Sequence, residues 1–160
     1  MRNSTLTLLF LLSISAIAQT QNEFQFDQAR VMLAKREIVP AIELLKPIHK
    51  AEPGNSNINF LLGAAYTELP GLQEEGLSHL LIAGKEVSEN YQVGNFKEES
   101  APIHLYYYLT IAFAEKDQCA EANEALKHLK KHSQLIDSYF IEEATKHLQK
   151  CPFDTNEVID

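Results

Sequence analysis

Three catalytic signatures are missing from this sequence: it has no G-x-S-x-G turn, no H-E-x-x-H helix and no phosphate loop. Each would have placed a nucleophile, a metal or a phosphate at a fixed spacing, so their absence argues against an enzyme. Paired carboxylates do not fill the gap. Glu74-Glu75, Glu98-Glu99 and Glu142-Glu143 are adjacent in sequence, so they point to different sides of a helix or lie in loops, and they read as solvated faces. Cysteine is scarce, with only Cys119 and Cys151 and no CxxC redox motif. Positive charge is also short: 14 Lys and Arg stand against 22 Asp and Glu, a net charge of −8. That balance disfavours nucleic acid and anionic membrane surfaces as partners. It serves solubility and leaves a basic partner open. No cofactor is implied by any motif, and no apolar run reaches the roughly 20 residues that a membrane span needs.

The longest apolar run, Leu6 to Ile17, is preceded by Arg2 and closed by the small-x-small triplet Ala16-Ile17-Ala18. This pattern makes residues 1–18 a secretory signal peptide and predicts a mature chain starting near Gln19, periplasmic or secreted. No cysteine follows the cleavage site, so a lipid anchor is not expected. Removal of Arg2 takes the net charge to about −9.

Ala101 to His132 organises what remains. Tyr106, Leu109, Thr110 and Phe113 recur at helical spacing, as do Ala122, Leu126 and Leu129, with Glu115-Lys116-Asp117-Gln118 as the turn between them. Small residues, Thr110 and Ala122, fall where two such helices cross. A large apolar residue, Leu beside a small residue, an aromatic, then Ala in the next helix resembles a tetratricopeptide repeat. The earlier chain can be tested against that resemblance. Ala29 and Gly63 are 34 residues apart, as are Met32 and Tyr66, which matches the period of this repeat. Ala29 and Ala41 are 12 apart, Thr110 and Ala122 also 12, and Gly63 and Gly76 are 13, with Pro70-Gly71 in the turn to absorb the extra residue.

The expected fold is therefore all-α: three tetratricopeptide-like helical hairpins, about 22–55, 56–88 and 102–134, a capping helix at 136–150 and an acidic tail at 151–160. Glu23 to Lys35 carries the stripe Phe26, Ala29, Met32 and Leu33, and Ile38 to Ala51 carries Ala41, Leu44, Leu45 and Ile48. Pro40 falls in a first turn, where it is tolerated. Pro47 falls inside the helix and predicts a kink or an early end. Asn57 to Glu68 and Gly76 to Val87 form the middle pair, the latter with Leu77, Leu80, Leu81 and Ala83 apolar. The cap carries Ile136, Phe140, Ala144 and Leu148 on one side and should stop at Pro152. Gly63 and Thr110 are 47 apart, 13 more than the period. The excess is an inserted polar loop at 88–101, either a binding element or a passive linker.

Three phrases carry a closer resemblance: Val87-Ser88-Glu89-Asn90-Tyr91, Gly94-Asn95-Phe96-Lys97-Glu98-Glu99, and Ala101-Pro102-Ile103 before Tyr107-Tyr108-Leu109. Together they look like the N-terminal tetratricopeptide segment of envelope proteins from Bacteroidetes-type bacteria. There the segment is typically followed by a β-propeller and an OmpA-like peptidoglycan-binding domain, and some members serve the type IX secretion and gliding apparatus. The resemblance covers most of residues 22–150, with 87–109 its distinctive part. It implies a scaffold that binds a protein or peptide, or else a structural subunit or truncated relative of such envelope proteins. It does not extend to the propeller or to the peptidoglycan-binding domain, so peptidoglycan binding is not implied.

Candidate sites follow from the repeat register. Cys119 opens one helix and Cys151 closes its neighbour, so antiparallel packing brings them together and export permits a disulfide. The alternative is two free thiols. His128 and His132 stand at i, i+4, a spacing that can chelate zinc, but Lys127, Lys130 and Lys131 surround them and further ligands are absent. No metal is expected. Tyr106 points inward with Leu109 and Phe113, so Tyr107 points with His104 and Ile111 toward the concave side. The same register adds Phe26, Arg30, Asn57, Phe60 and Ala64, a strip with the aromatic and Arg side chains typical of binding hot spots. Phe26 and Phe60 could equally pack between helices. The Lys/Asn carboxylate clamp of chaperone-tail-binding repeats is not matched, since Phe26, Arg30, Leu61, His104 and Tyr108 stand in its places.

Overall fold

Seven helices follow one another along the described chain: α1 (Ser4–Ala34), α2 (Ile38–Ala51), α3 (Ser56–Thr67), α4 (Gln73–Ala83), α5 (Leu105–Ala114), α6 (Cys119–Lys131) and α7 (Ser138–Leu148). The structure is a computed structural model that describes the backbone of residues 4–151 and the side chains of residues 19–151. The chain is all-α except for two-residue strands β1 (Val87–Ser88) and β2 (Ala101–Pro102), which pair in parallel. Consecutive helices pack pairwise, α1 on α2, α3 on α4 and α5 on α6, while α7 lies against both α5 and α6.

The first and third pairs are joined by the same turn. Arg36 and Asp117 both take positive φ, 60° and 56°. Arg36 N–H donates to Leu33 and Glu37 N–H to Met32; in parallel, Asp117 N–H donates to Ala114 and Gln118 N–H to Phe113. These are the two bonds of a Schellman motif, which satisfies carbonyls that a helix end would otherwise leave bare. Each left-handed residue follows its crossing residue, Ala29 or Thr110, by seven positions. The middle turn is different: Gly71 takes φ +84° and the extra residue is absorbed there.

Small residues sit at the crossings. Ala29, Ala41, Thr110 and Ala122 are wholly buried. Between α3 and α4 the approach is closest, for a Cβ on Gly63 would lie 2.7 Å from Leu80 Cγ and 3.0 Å from the Gly76 carbonyl. The helix ends are capped from the sequence. Asn55 accepts from Ile58 N–H at 3.0 Å to start α3, and Asp137 accepts from Tyr139 N–H at 2.9 Å to start α7.

Several expectations change. Helix α1 runs back through the proposed cleavage point to Ser4, although the side chains of residues 1–18 lie outside the described set. Helix α2 continues past Pro47 to Ala51. Pro47 and Glu43 are both exposed, so water can take the carbonyl that Pro47 leaves without a donor. Helix α4 starts at Gln73 and stops at Ala83, short of Val87: Gly84 caps it, and β1 pairs Val87 with Ala101 instead. Leu81, expected to face inward, is exposed, because the buried stripe of α4 is Gly76, Leu77, Leu80 and Ala83. Helix α7 ends at Leu148, and of the expected tail only Cys151 is described. Among the described residues no helix is long and apolar enough to cross a membrane.

Candidate functional site

Phe26 and Arg30 lie one turn apart on α1, and Asn57 and Phe60 one turn apart on α3, so each pair shares a helix face. The inserted loop lies over that face. Phe96 packs edge-on against Phe26 with ring centroids 5.6 Å apart. Tyr91 donates its hydroxyl to Asn57 Oδ1 at 2.7 Å. Asn57 Nδ2 donates to the Glu98 carbonyl at 3.2 Å, and the main-chain N–H groups of Ser56 and Asn57 donate to the Glu99 carbonyl at 3.0 and 3.3 Å. The loop thus satisfies the first amides of α3, which have no partner within the helix. Phe26 and Asn57 are both 0% exposed. Burial pushes the Tyr91 phenol up to about 12, so it stays a hydroxyl donor throughout the physiological range.

Internal bonds shape the loop before it touches the helices. Glu98 accepts from Gln92 N–H at 3.0 Å, from Ser100 N–H at 3.0 Å and from Ser100 Oγ at 2.6 Å. The Ser100 bond is the main reason its carboxyl sits below the ordinary range. Gly94 takes φ +84°, and a Cβ there would come within 2.6 Å of the Arg30 guanidinium. Arg30 also stands 3.7 Å from Asp27 and over the Phe26 ring.

The strip continues from α3 to α5 and α7. Phe60 is buried and meets Tyr108 edge-on at 5.9 Å, and Tyr108 meets Tyr107 at 5.0 Å. Phe140 of α7 packs against Tyr107 at 5.1 Å and against His104 at 4.8 Å. Tyr107, Tyr108, His104 and Ile111 remain half-buried. Burial, assisted by the nearby Glu68 carboxylate, pushes the Tyr108 phenol up to about 12. Arg36 pairs with Glu68 at 3.2 Å. The structure therefore divides the expected strip. Phe26, Arg30 and Asn57 lie under the loop, Phe60 lies between α3 and α5, and His104, Tyr107 and Ile111 stay partly open beside α7.

Sequence reasoning missed Tyr91, Phe96 and Phe140 as members of this surface. The first two are the only aromatic residues in the polar stretch 88–100, which was the available signal. It also missed a polar network under α4. Asn59, wholly buried, donates to the carbonyls of Pro53 and Asn55 at 2.9 Å each, and its Oδ1 faces His79 Nδ1 at 2.8 Å. Because the Asn59 amide is already donating, His79 Nδ1 must carry the proton. The His79 ring stacks on Tyr66 and meets His49 edge-on at 4.9 Å.

Cys119 and Cys151 form a disulfide with a Cα separation of 5.7 Å. It ties the chain beyond α7 to the start of α6. Glu115 reinforces the join by accepting from Lys150 Nζ at 2.7 Å. His128 and His132 do not converge on a common point for a metal. Both stack on Tyr106, at 4.9 and 6.3 Å, and His132 pairs with Glu89 at 3.1 Å. Among the described residues no three His, Cys, Asp or Glu side chains cluster as metal ligands would.

Comparison with family models, curated proteins and solved structures finds no match.

Proposed function

We propose that the protein is an exported, non-enzymatic interaction module of tetratricopeptide type that holds an extended segment of a protein partner on the face shared by α1, α3 and α5. One observation carries this reading: the chain's own segment 91–99 lies on that face, and α3 meets its main-chain carbonyls with the Asn57 amide and two backbone N–H groups. Recognition of main-chain carbonyls plus an aromatic pocket is what binding of an extended peptide requires. Tyr107, Tyr108 and Ile111 continue the same face where neither the loop nor α7 covers it completely. Aromatic side chains in that position supply contact area at low entropic cost. Residues 1–18 are proposed as the export signal, and the Cys119–Cys151 bond fits an oxidising compartment such as the periplasm.

The test immobilises the exported protein and offers it envelope extract. Tyr107→Ala should lose the captured partner with nearly unchanged helicity, since a truncated aromatic anchor typically loses upward of 2 kcal/mol of binding. Retention of the partner by both Tyr107→Ala and Tyr108→Ala, with release by changes in the loop, would make the loop itself the recognition element.

A further inference from the structure

The loop that covers α1 and α3 is held there by four hydrogen bonds to Ser56 and Asn57 and by the Phe96–Phe26 contact. Tyr91 and Phe96 are its aromatic anchors, while Gln92, Val93, Lys97 and Glu99 are exposed, Val93 at 78%. What the helices take from it is a phenol for Asn57 Oδ1, a ring for Phe26 and two consecutive carbonyls for the start of α3, presented by a segment folded into two successive turns in which Asn95 N–H donates to the Gln92 carbonyl and Glu98 N–H to the Asn95 carbonyl. The spacing is defined. The two aromatics are separated by four residues, and the first accepting carbonyl follows Phe96 by two.

We propose that segment 91–99 is a displaceable internal occupant, and that the partner of the α1–α3 face is a peptide segment repeating its chemistry: Tyr, four residues, Phe, then consecutive main-chain carbonyls beginning two residues on. The proposal rests on the interaction-module reading and adds the ligand class and the means of access.

The polar contacts make this an exchange. Asn57 is wholly buried and uses both its amide donor and its carbonyl oxygen on the loop. If the loop simply left, Phe26 would be uncovered and these groups, with the Ser56 and Asn57 amides, would exchange their protein partners for water, a net loss for each hydrogen bond. An incoming segment that offers the same acceptors and phenol avoids the cost. Displacement must also overcome tethering. The loop is anchored at its base by the Val87–Ala101 and Ser88–Pro102 pairing, so it competes from a high effective concentration, of order millimolar for short tethers. A partner with the same contacts therefore binds weakly until the loop is loosened.

The test uses the full chain and a fluorescent peptide of residues 88–100, SENYQVGNFKEES. Protein carrying Tyr91→Ala and Phe96→Ala should bind the peptide at least about tenfold more tightly than the wild type, because its own loop no longer competes. Adding Asn57→Ala should remove that gain, and so should a peptide with Ala for Phe96. Absence of saturable binding to a double variant that melts cooperatively overturns the proposal, as does equal affinity for wild type and variant. Should the double variant fail to fold, hydrogen exchange on the wild type decides. The amides of Gln92, Ser100, Ser56 and Asn57 should exchange well ahead of those in the middle of α3, and protection equal to the helix overturns the idea. None of these outcomes touches the Tyr107→Ala capture result, so failure here and failure of the broader reading are separable.

Discussion

Gly63 and Gly76 face one another across α3 and α4, and neither has room for a side chain. A Cβ on Gly76 would lie 2.8 Å from Thr67 Oγ1 and 3.0 Å from the Thr67 nitrogen. At Gly63 the obstacle is Leu80, which is itself wholly buried and cannot swing into solvent. Gly63→Ala should therefore destabilise the protein by about 1–3 kcal/mol in urea denaturation, despite the helix propensity it adds, and Gly63→Leu should cost at least as much. An unchanged midpoint would mean the two helices do not cross there. A second residue-scale effect depends on pH. Burial, with the neighbouring His49 second, lowers the His79 pKa below its usual 6.5, and burial lowers His104 likewise. Well above pH 6.5 both are neutral, folded or unfolded. As pH falls below 6.5 the unfolded chain takes up protons that the folded chain resists, so stability is lost. The melting temperature should drop between pH 7.5 and 5.5, and His79→Gln should reduce that drop. An equal drop in the variant would remove His79 from the account.

At the level of elements, the helices were legible in the sequence because their signals are local. The Glu115 to Gln118 turn falls where the stripes break, between α5 and α6, and α2 matches its expected span of Ile38–Ala51. Small residues at fixed spacing marked the crossings for the same reason. The loop was not legible, because its partners are distant in sequence: Asn57 is 34 residues from Tyr91 and 41 from Glu98. Periodicity carries no information about such contacts. The register put Phe26, Arg30 and Asn57 on one face, but could not show that the chain itself covers them. Gly84 is a visible stop for α4, directly after the apolar run Leu80 to Ala83 and before the charged Lys85-Glu86. The join at α7 was legible, since antiparallel neighbours bring Cys119 to Cys151, which close a loop with a separation of 32 residues. In the chain-entropy description that closure is worth roughly 3–4 kcal/mol. Reduction should lower stability by that order, with the end of α7 losing exchange protection first, because beyond Leu148 the remaining tie, Glu115 to Lys150, lies partly in solvent. Mass spectrometry without reductant should recover the linked pair; two alkylatable thiols would remove this tie.

Across the whole molecule the helical pairs form a continuous series of apolar clusters, and that series starts late in α1. The first buried side chain among the described residues is Phe26, in the cluster that joins α1, α2 and α3. Gln19, Thr20, Gln21, Glu23 and Phe24 are exposed. Residues 19–25 therefore contribute no buried side chain to that core. A chain beginning at Gln19 also has a competent helix start, because Thr20 followed three residues later by Glu23 is a capping-box pattern. A carboxylate in that first turn further suits the helix dipole. The chain beginning at Gln19 should unfold at the same urea midpoint as the full chain, within about 0.5 kcal/mol, the range of changes made away from buried contacts. A loss beyond about 1 kcal/mol would mean that residues 1–18 pack on the domain, which is incompatible with a cleaved leader. N-terminal sequencing of exported material supplies the companion result. A start at Gln19 joins the folded domain to its export route, whereas an intact Met1 in the periplasmic fraction would sink the leader reading and leave α1 as one helix from Ser4.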